Sequence, residues 1–328
     1  SMHQSSDFEE NDGLSSMHDY DDDIDNEILS RMEVSPREKS CALLFFGLPK
    51  GFKYTVLPSI RKYILAPNSN CDIFLHTYNV SSVSNPRNNE EEEHIDVNEV
   101  FLLTSNVIIT PMQEFYDAHD LEYYRKYSHK GWGKCCTSID NMIKQWHSIS
   151  TVWNFMMQES KFNRSSAHSE YSEHIRTDTN IQTRHHLSQN QQQQNQQPYE
   201  QIGFFRSDVL YTHPIPISQG DAVTPNFHQY DGINDRMFYG KFKYAKIWAT
   251  ERYQYVPKYI AEYDTLNPLG FTKKILFFKI RVKHPPNLHS ETFLMNLLKH
   301  NHVPMQTKQI CFLRVRATGK IMHDCRIP

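Results

Sequence analysis

The residue types best suited to chemistry fall in a few short segments. Phe204-Phe205-Arg206-Ser207-Asp208-Val209-Leu210-Tyr211 runs apolar, like a strand, and then stops on a carboxylate. Downstream, Asp231-Gly232-Ile233-Asn234-Asp235-Arg236 gathers carboxylates, an amide and a guanidinium around a glycine. A lone carboxylate at the mouth of a parallel sheet, here Asp208, can hold Mg²⁺ or Mn²⁺, with ligand phosphates filling the other coordination positions. The metal then stabilises charge on a departing diphosphate. Arg206 can meet phosphate through its planar fork. The bland alternative for Arg206 and Asp208 is a surface ion pair. Asn234, Asp235 and Arg236 also have two readings. They are turn chemistry, or they bind substrate, with Asp235 facing the reacting group.

Two further segments bear on a site. Phe46 ends an apolar run and leads into Gly47-Leu48-Pro49-Lys50-Gly51. In open α/β sheets ligands sit at the carboxyl ends of strands, which makes Phe46, Gly47, Leu48, Pro49 and Lys50 well placed for a nucleotide. The turn is neither a Walker A sequence nor GxGxxG, and a tight strand-to-helix turn explains it equally. His289-Ser290-Glu291 opens an apolar helix. Ser290 reads as its N-cap, with Glu291 in the first turn where the helix dipole favours it. A carboxylate there can also serve as general base toward an acceptor hydroxyl. His323 and Asp324 are further candidate metal or phosphate contacts.

These residues need elements to hold them. Cys41-Ala42-Leu43-Leu44-Phe45-Phe46 reads as a buried parallel strand. Helical spacing follows through Val56, Ile60, Tyr63 and Ile64 and ends near Pro67. Cys71 to Tyr78 is a second strand, completing a β-α-β unit that should be right-handed. Residues 80–98, with Glu90 to Glu93 in a block, read as a surface loop. Val100 to Leu103 and Val107 to Ile109 suggest short pieces of strand or helix. Residues 112–130 show no clean period. Ile139, Met142, Ile143, Trp146, Ile149, Val152, Trp153 and Met156 predict an amphipathic helix to Met157, its stripe a core face. Residues 158–200, with Gln191 to Gln194, read as a low-complexity flexible insertion in which His185 and His186 are solvated. Phe242 to Tyr253 and Glu291 to Leu298 follow as helices, and Ile310 to Arg316 as a strand.

Composition bounds the class. The 328 residues are 38% hydrophobic and 12% aromatic, enough for one large α/β domain or two small ones. The mean hydropathy of −0.65 reflects the polar stretches, including an acidic 1–39 that reads as a disordered tail. A net charge of −3 and a pI near 6.6 give no field for nucleic acid. Of six cysteines, Cys41 and Cys71 read as buried thiols, and Cys135, Cys136, Cys311 and Cys325 as disulfide formers in a secretory setting. No apolar run of about 18 residues predicts a membrane span, and no signal peptide is visible. The start at Ser1-Met2 reads as a fragment. With a missing upstream anchor the expected place is the Golgi or ER lumen, otherwise the cytoplasm. The sequons Asn79-Val80-Ser81 and Asn163-Arg164-Ser165, in predicted loops, fit a lumen.

Six blocks, in order, carry a family resemblance: CALLFFGLPK (41–50), CDIFLHTY (71–78), SIDNMIKQWHSI (138–149), FRSDVLY (205–211), NDRMFYG (234–240) and HSETFL (289–294). Together they resemble a poorly characterised glycosyltransferase-like family of microbial eukaryotes and plants, of the GT-A nucleotide-diphospho-sugar transferase type. The resemblance spans residues 40–325 apart from the loops. It implies a single α/β domain with a Rossmann-type mixed, mostly parallel sheet flanked by helices. It implies a nucleotide-diphosphate sugar as donor and a glycan, protein or lipid as acceptor. It puts the nucleotide on Phe46 to Lys50, Mn²⁺ or Mg²⁺ on Asp208, and Asp235 and Glu291 at the donor sugar or acceptor. The usual Asp-x-Asp is here Arg206-Ser207-Asp208, with one carboxylate, so Arg206 takes part of the cation's role. Phe271 to Pro286, basic and aromatic, looks foreign to the family, as an insertion or an error in the gene's predicted reading. Two other classes remain open. One is a non-catalytic nucleotide-sugar or glycan-binding protein of the same fold. The other is a nucleotidyltransferase or phosphohydrolase, which needs more clustered carboxylates.

Overall fold

Contacts divide the chain into Ser1–Glu38 and Lys39–Pro328. The computed structural model describes residues 40–85, 90–129, 132, 137–172, 197–266, 271–275, 278–282, 285–323 and 325, all within the second unit. The expected acidic tail, the glutamine tract, His185, His186, Cys135, Cys136 and Asp324 lie outside the described residues.

The apolar run at the start of that unit forms β1 (Cys41–Phe46). A helical stretch over 52–68 leads to β2 (Asp72–Asn79), as its spacing predicts. The segment expected to be a surface loop is a hairpin of β3 (Ser82–Asn85) and β4 (Glu90–His94). A short 3₁₀ turn, Val97–Leu102, precedes β5 (Val107–Pro111). Residues without visible period form two short helices, α1 (Met112–Ala118) and α2 (Leu121–Arg125). The long helix α3 (Thr137–Ser172) continues well past Met157, into the stretch read as an insertion. Its glutamine, serine and glutamate residues tolerate helix even where no apolar stripe marks it.

The second half begins with β6 (Gln201–Arg206), β7 (Val209–Tyr211), β8 (Ala222–Pro225) and β9 (Phe238–Lys241). The expected helix after Phe242 is two, α4 (Phe242–Thr250) and α5 (Arg252–Ala261), followed by the short α6 (Tyr263–Leu266). Phe271 to Pro286 contributes an antiparallel hairpin, β10 (Phe271–Ile275) and β11 (Phe278–Val282). Then come α7 (Ser290–His300), β12 (Gln306–Lys308), β13 (Phe312–Val315) and β14 (Ile321–Met322).

Seven strands make the central sheet, in the order β12-β8-β9-β6-β1-β2-β5. The pairs β1–β2, β2–β5, β1–β6 and β8–β12 are parallel, and β9 is antiparallel to both of its neighbours. This is a mixed α/β fold with a mostly parallel central sheet flanked by helices. Alternation along β1 divides the core. Ala42, Leu44 and Phe46 join one apolar cluster with α3, α4, α5 and α7, while Leu43 and Phe45 join another with the 52–68 helix, β7 and β13. A strand buried on both faces reads as an unbroken apolar run, as this one does. Among the described residues no helix is long and apolar enough to cross a membrane.

One disulfide corrects the cysteine reading, and a second agrees with it. Cys41 and Cys71, expected as thiols, are bonded to each other, and so are Cys311 and Cys325. The cause is register. Ala42 pairs with Asp72, which sets the two preceding cysteines side by side with Cα atoms 4.6 Å apart. Closing this loop, with a sequence separation of 30, constrains the unfolded chain by about 4 kcal/mol.

Candidate functional site

The chain leaves β1 and passes through the helix to β2 on one side, then returns by α3 to β6 on the other. β1 and β6 are therefore neighbours whose connections run in opposite directions, and the crevice at their carboxyl ends is where α/β sheets bind ligands. Phe46 pairs with Arg206, so the Gly47 turn and the Ser207-Asp208 segment leave the sheet together. The Ser207 N–H donates to the Phe46 carbonyl at 3.0 Å. Gly47 has φ +98°, a backbone state that suits glycine.

The floor beside this turn is uncharged. The Gly47 N–H donates to Ser148 Oγ at 3.1 Å. Ser148 Oγ is 2.7 Å from His76 Nδ1, and His76 Nε2 is 2.9 Å from Thr110 Oγ1. Burial, and then the neighbouring His147, push His76 down to about 3, so it stays neutral. A hydrogen-bonded chain thus ties β5, β2, α3 and the β1 turn together.

Charge gathers on the other side. Arg206 Nε and Nη2 donate to both oxygens of Asp208, at 2.7 and 2.6 Å. The pair is largely buried, with side chains 22% and 10% exposed, so it is neither a lone carboxylate nor a surface pair. Burial alone would raise the Asp208 carboxyl, but the Arg206 guanidinium overrides it and holds the group below its usual range. Arg206 Nη1 donates to Gln145 Oε1 at 3.0 Å. Gln145 Nε2 in turn donates to the backbone carbonyl of Asp235 at 2.8 Å and to its Oδ2 at 3.2 Å. Gln145 therefore bridges two carboxylate centres.

The second centre is Asp235 with Glu291. Ser290 does not cap its helix: His289 holds the N-cap position without a side-chain bond to the free backbone N–H groups, and the Ser290 hydroxyl donates to Asp235 Oδ2. Ser290 is the first helical residue, past the position from which a hydroxyl accepts the free N–H groups of the helix end, and its proton goes to the buried carboxylate of Asp235. Gly232 makes the approach possible, because a Cβ there would overlap the Glu291 peptide. The Ile233 N–H then donates to the Glu291 carbonyl at 3.0 Å. Burial, and then the Asp235 charge, push the Glu291 carboxyl up to about 8. His289 Nδ1 lies 3.5 Å from Glu291 Oε2.

One cleft of about 1020 Å³ is lined by Phe46, Gly47, Leu48, Lys50, Arg206, Asp208, Asp235, Arg236 and Glu291, together with residues not singled out in the sequence. Its volume matches the upper end of small-molecule sites. Pro49 and Asn234 do not line it. Asn234 is fully buried; its side chain donates to the Phe227 carbonyl and accepts from the Arg236 N–H, which is turn chemistry. Lys50 has a protein partner: its Nζ lies 3.0 and 3.2 Å from the oxygens of Glu90. Glu90 is fully buried and also accepts the Ala317 N–H, so the acidic block is a strand with one buried member, while Glu91 and Glu92 stay exposed. His323 is exposed and outside the cleft.

The residues missed in the sequence are Gln145, Ser148, Glu90, Arg314 and Arg316. Gln145 and Ser148 lie between apolar positions of a helix, and that was the available signal. Arg314 on β13 carries no local mark. The cleft lining holds six cationic side chains (Lys50, Lys144, Arg206, Arg236, Arg314 and Arg316) against three carboxylates. After burial, it is Asp235 and then the neighbouring Arg314 and Arg206 that act on Arg236, whose pKa is lowered overall.

The residues present do not fit the expected divalent metal. Both oxygens of Asp208 are taken by Arg206, whereas Mg²⁺ demands near-octahedral oxygen ligands at about 2.0–2.1 Å. Among the described residues no group of three or more His, Cys, Asp or Glu side chains could hold a metal ion. In comparisons with known proteins, no family model and no curated protein matches the chain.

Proposed function

We propose that this protein is a glycosyltransferase of the GT-A type, moving a sugar from a nucleotide-diphosphate donor to an acceptor hydroxyl on a glycan, protein or lipid. One observation carries the reading. The β1 turn, the end of β6, the Asp235-Arg236 turn and the start of α7, far apart in sequence, line one cationic cleft at strand carboxyl ends. Guanidiniums in such a cleft suit a diphosphate leaving group, whose oxygens they meet in a fork.

In this reading Glu291 is the base, and the Asp235 charge beside it raises its proton affinity. The acceptor O–H passes its proton to the Glu291 carboxylate as its oxygen bonds to the sugar C1. The C1–O bond to the diphosphate breaks, and the nucleoside diphosphate leaves with the electron pair. A base with a pKa near the working pH suits this step, and Glu291 near 8 is close to that. The two disulfides support an oxidising compartment, the lumenal option. Asn79, exposed at the end of β2, is compatible with it.

A second reading is a nucleotide-sugar-binding protein of the same fold without turnover, favoured by the Asp208 carboxylate being fully engaged by Arg206. A screen of UDP- and GDP-sugars for binding and for hydrolysis separates the two. Turnover lost in Glu291→Gln supports transfer. Binding without turnover on any acceptor supports the second reading, and no nucleotide binding sinks both.

A further inference from the structure

The sugar-transfer reading brings with it the expectation of a divalent cation at Asp208, and the donor set speaks against one. Arg206 holds Asp208 bidentately in a largely buried setting. Freeing the carboxylate for a metal would strand a guanidinium beside a dication. The other carboxylates offer no substitute. Asp235 Oδ2 accepts from Ser290 and Gln145, and Glu291 is driven toward its neutral form by burial and by Asp235.

The cleft meanwhile carries cations already. Arg236 follows Asp235 directly, and its Nη1 reaches His228 Nδ1 at 2.8 Å, which fixes the plane of the guanidinium. Arg314 stands on β13 and lines the same cleft. A buried guanidinium next to two others gains from an anion that neutralises the group. Arg206 is held at the centre of this array by Asp208 and Gln145, so its position is set before ligand arrives.

We infer that the cleft binds the diphosphate of its donor without a divalent cation. Arg236 and Arg314 meet the phosphate oxygens, and the Arg206–Asp208 pair is a fixed floor in place of a metal-binding acid. This rests on the sugar-transfer reading for the identity of the ligand, though not for its charge.

The test measures binding of inorganic pyrophosphate, UDP and GDP to the full chain by titration calorimetry, once in EDTA and once with Mn²⁺. Pyrophosphate and at least one nucleotide are expected to bind with affinities within threefold in the two buffers. Arg314→Ala and Arg236→Lys are each expected to weaken pyrophosphate at least tenfold, with thermal unfolding of the free proteins reporting whether they still fold. If Arg236→Lys does not fold, Arg314→Ala alone decides. Binding that appears only with Mn²⁺, or tightens more than tenfold with it, overturns the inference and leaves sugar transfer standing. Unchanged pyrophosphate affinity in a folded Arg314→Ala overturns it too. Metal-independent pyrophosphate binding with no turnover of any nucleotide sugar supports the cation-free site and removes the transfer reading. No binding of any probe in either buffer overturns both.

Discussion

Two carboxylate centres share one cleft and are built in opposite ways. Asp208 is matched by a guanidinium on both oxygens, and its charge is stabilised where it stands. Asp235 receives only neutral donors from Ser290 and Gln145, and beside it Glu291 resists ionisation. The first arrangement suits a structural anchor, because a fully paired carboxylate has little left to offer a substrate. The second suits proton transfer, because a carboxyl held near neutrality can both give and take a proton. Gln145 joins them, one end of its amide on Arg206 and the other on Asp235.

The contrast can be broken most sharply at Asp208. Asp208→Ala leaves Arg206 without its counter-ion, and losing one partner of a buried pair costs about 3–5 kcal/mol. Denaturant unfolding should show it as a fall in midpoint, and the double variant Arg206→Met with Asp208→Leu should regain most of the loss. An Asp208→Ala protein as stable as the parent would end the anchor reading. Glu291→Gln should do the reverse, lowering turnover by about 10²–10⁴-fold while leaving the folded state intact.

The pH profiles should also diverge. Glu291 sits near 8 in the folded protein against an ordinary 4.5, so the folded state holds a proton that the unfolded chain loses. Stability should therefore fall as pH rises from about 4.5 to about 8, and Glu291→Gln should flatten that fall. Asp208 has the opposite sign. Its carboxyl lies below the ordinary 3.8, so its contribution is present at neutral pH and lost as pH falls through the depressed value. If Glu291 is the base of the proposed transfer, turnover should rise through about pH 8. In Asp235→Asn that rise should move to lower pH, since one of the two causes of the shift is gone. An unmoved profile in Asp235→Asn would uncouple the two residues.

The smallest effect is expected at Ser290. Ser290→Ala removes one hydrogen bond to the Asp235 carboxylate, worth about 1.5–3 kcal/mol, measurable as a loss in unfolding free energy smaller than that of Asp208→Ala. A loss as large as that of Asp208→Ala would mean that the two centres are not built differently after all.

Much of the scaffold was legible. β1 and β2 stand out as apolar runs because both faces of each are covered, and α3 because its stripe repeats at helical spacing over several turns. The end of that helix was not legible, since its polar continuation has no stripe to read. The hairpin of β3 and β4 was hidden for a similar reason: a block of glutamates reads as solvated unless one knows that Glu90 is buried against Lys50. At the site, the segments around Arg206, Asp235 and Glu291 were visible as clusters of polar residues beside apolar runs. Their roles were not. Ser290 reads as a cap, yet the helix begins one residue earlier than that and leaves His289 at the N-cap, and Asn234 and Asp235, adjacent in sequence, went to turn chemistry and to the cleft respectively.

The sequence by itself determined which residues could carry charge and where the strongly patterned elements lie, β1, β2 and the striped part of α3 above all, because periodicity and side-chain type are local properties. Only the tertiary structure decided what each charge faces. Arg206 and Asp208 are two residues apart, and nothing local says whether they pair with each other, with phosphate or with a metal. The bidentate pair is set by the register of β6 against β1 and by Gln145 reaching over from α3. Protonation follows the same logic. A carboxyl's pKa depends on burial and on neighbours brought from distant segments, so two acids of similar intrinsic strength end on opposite sides of neutrality in one cleft.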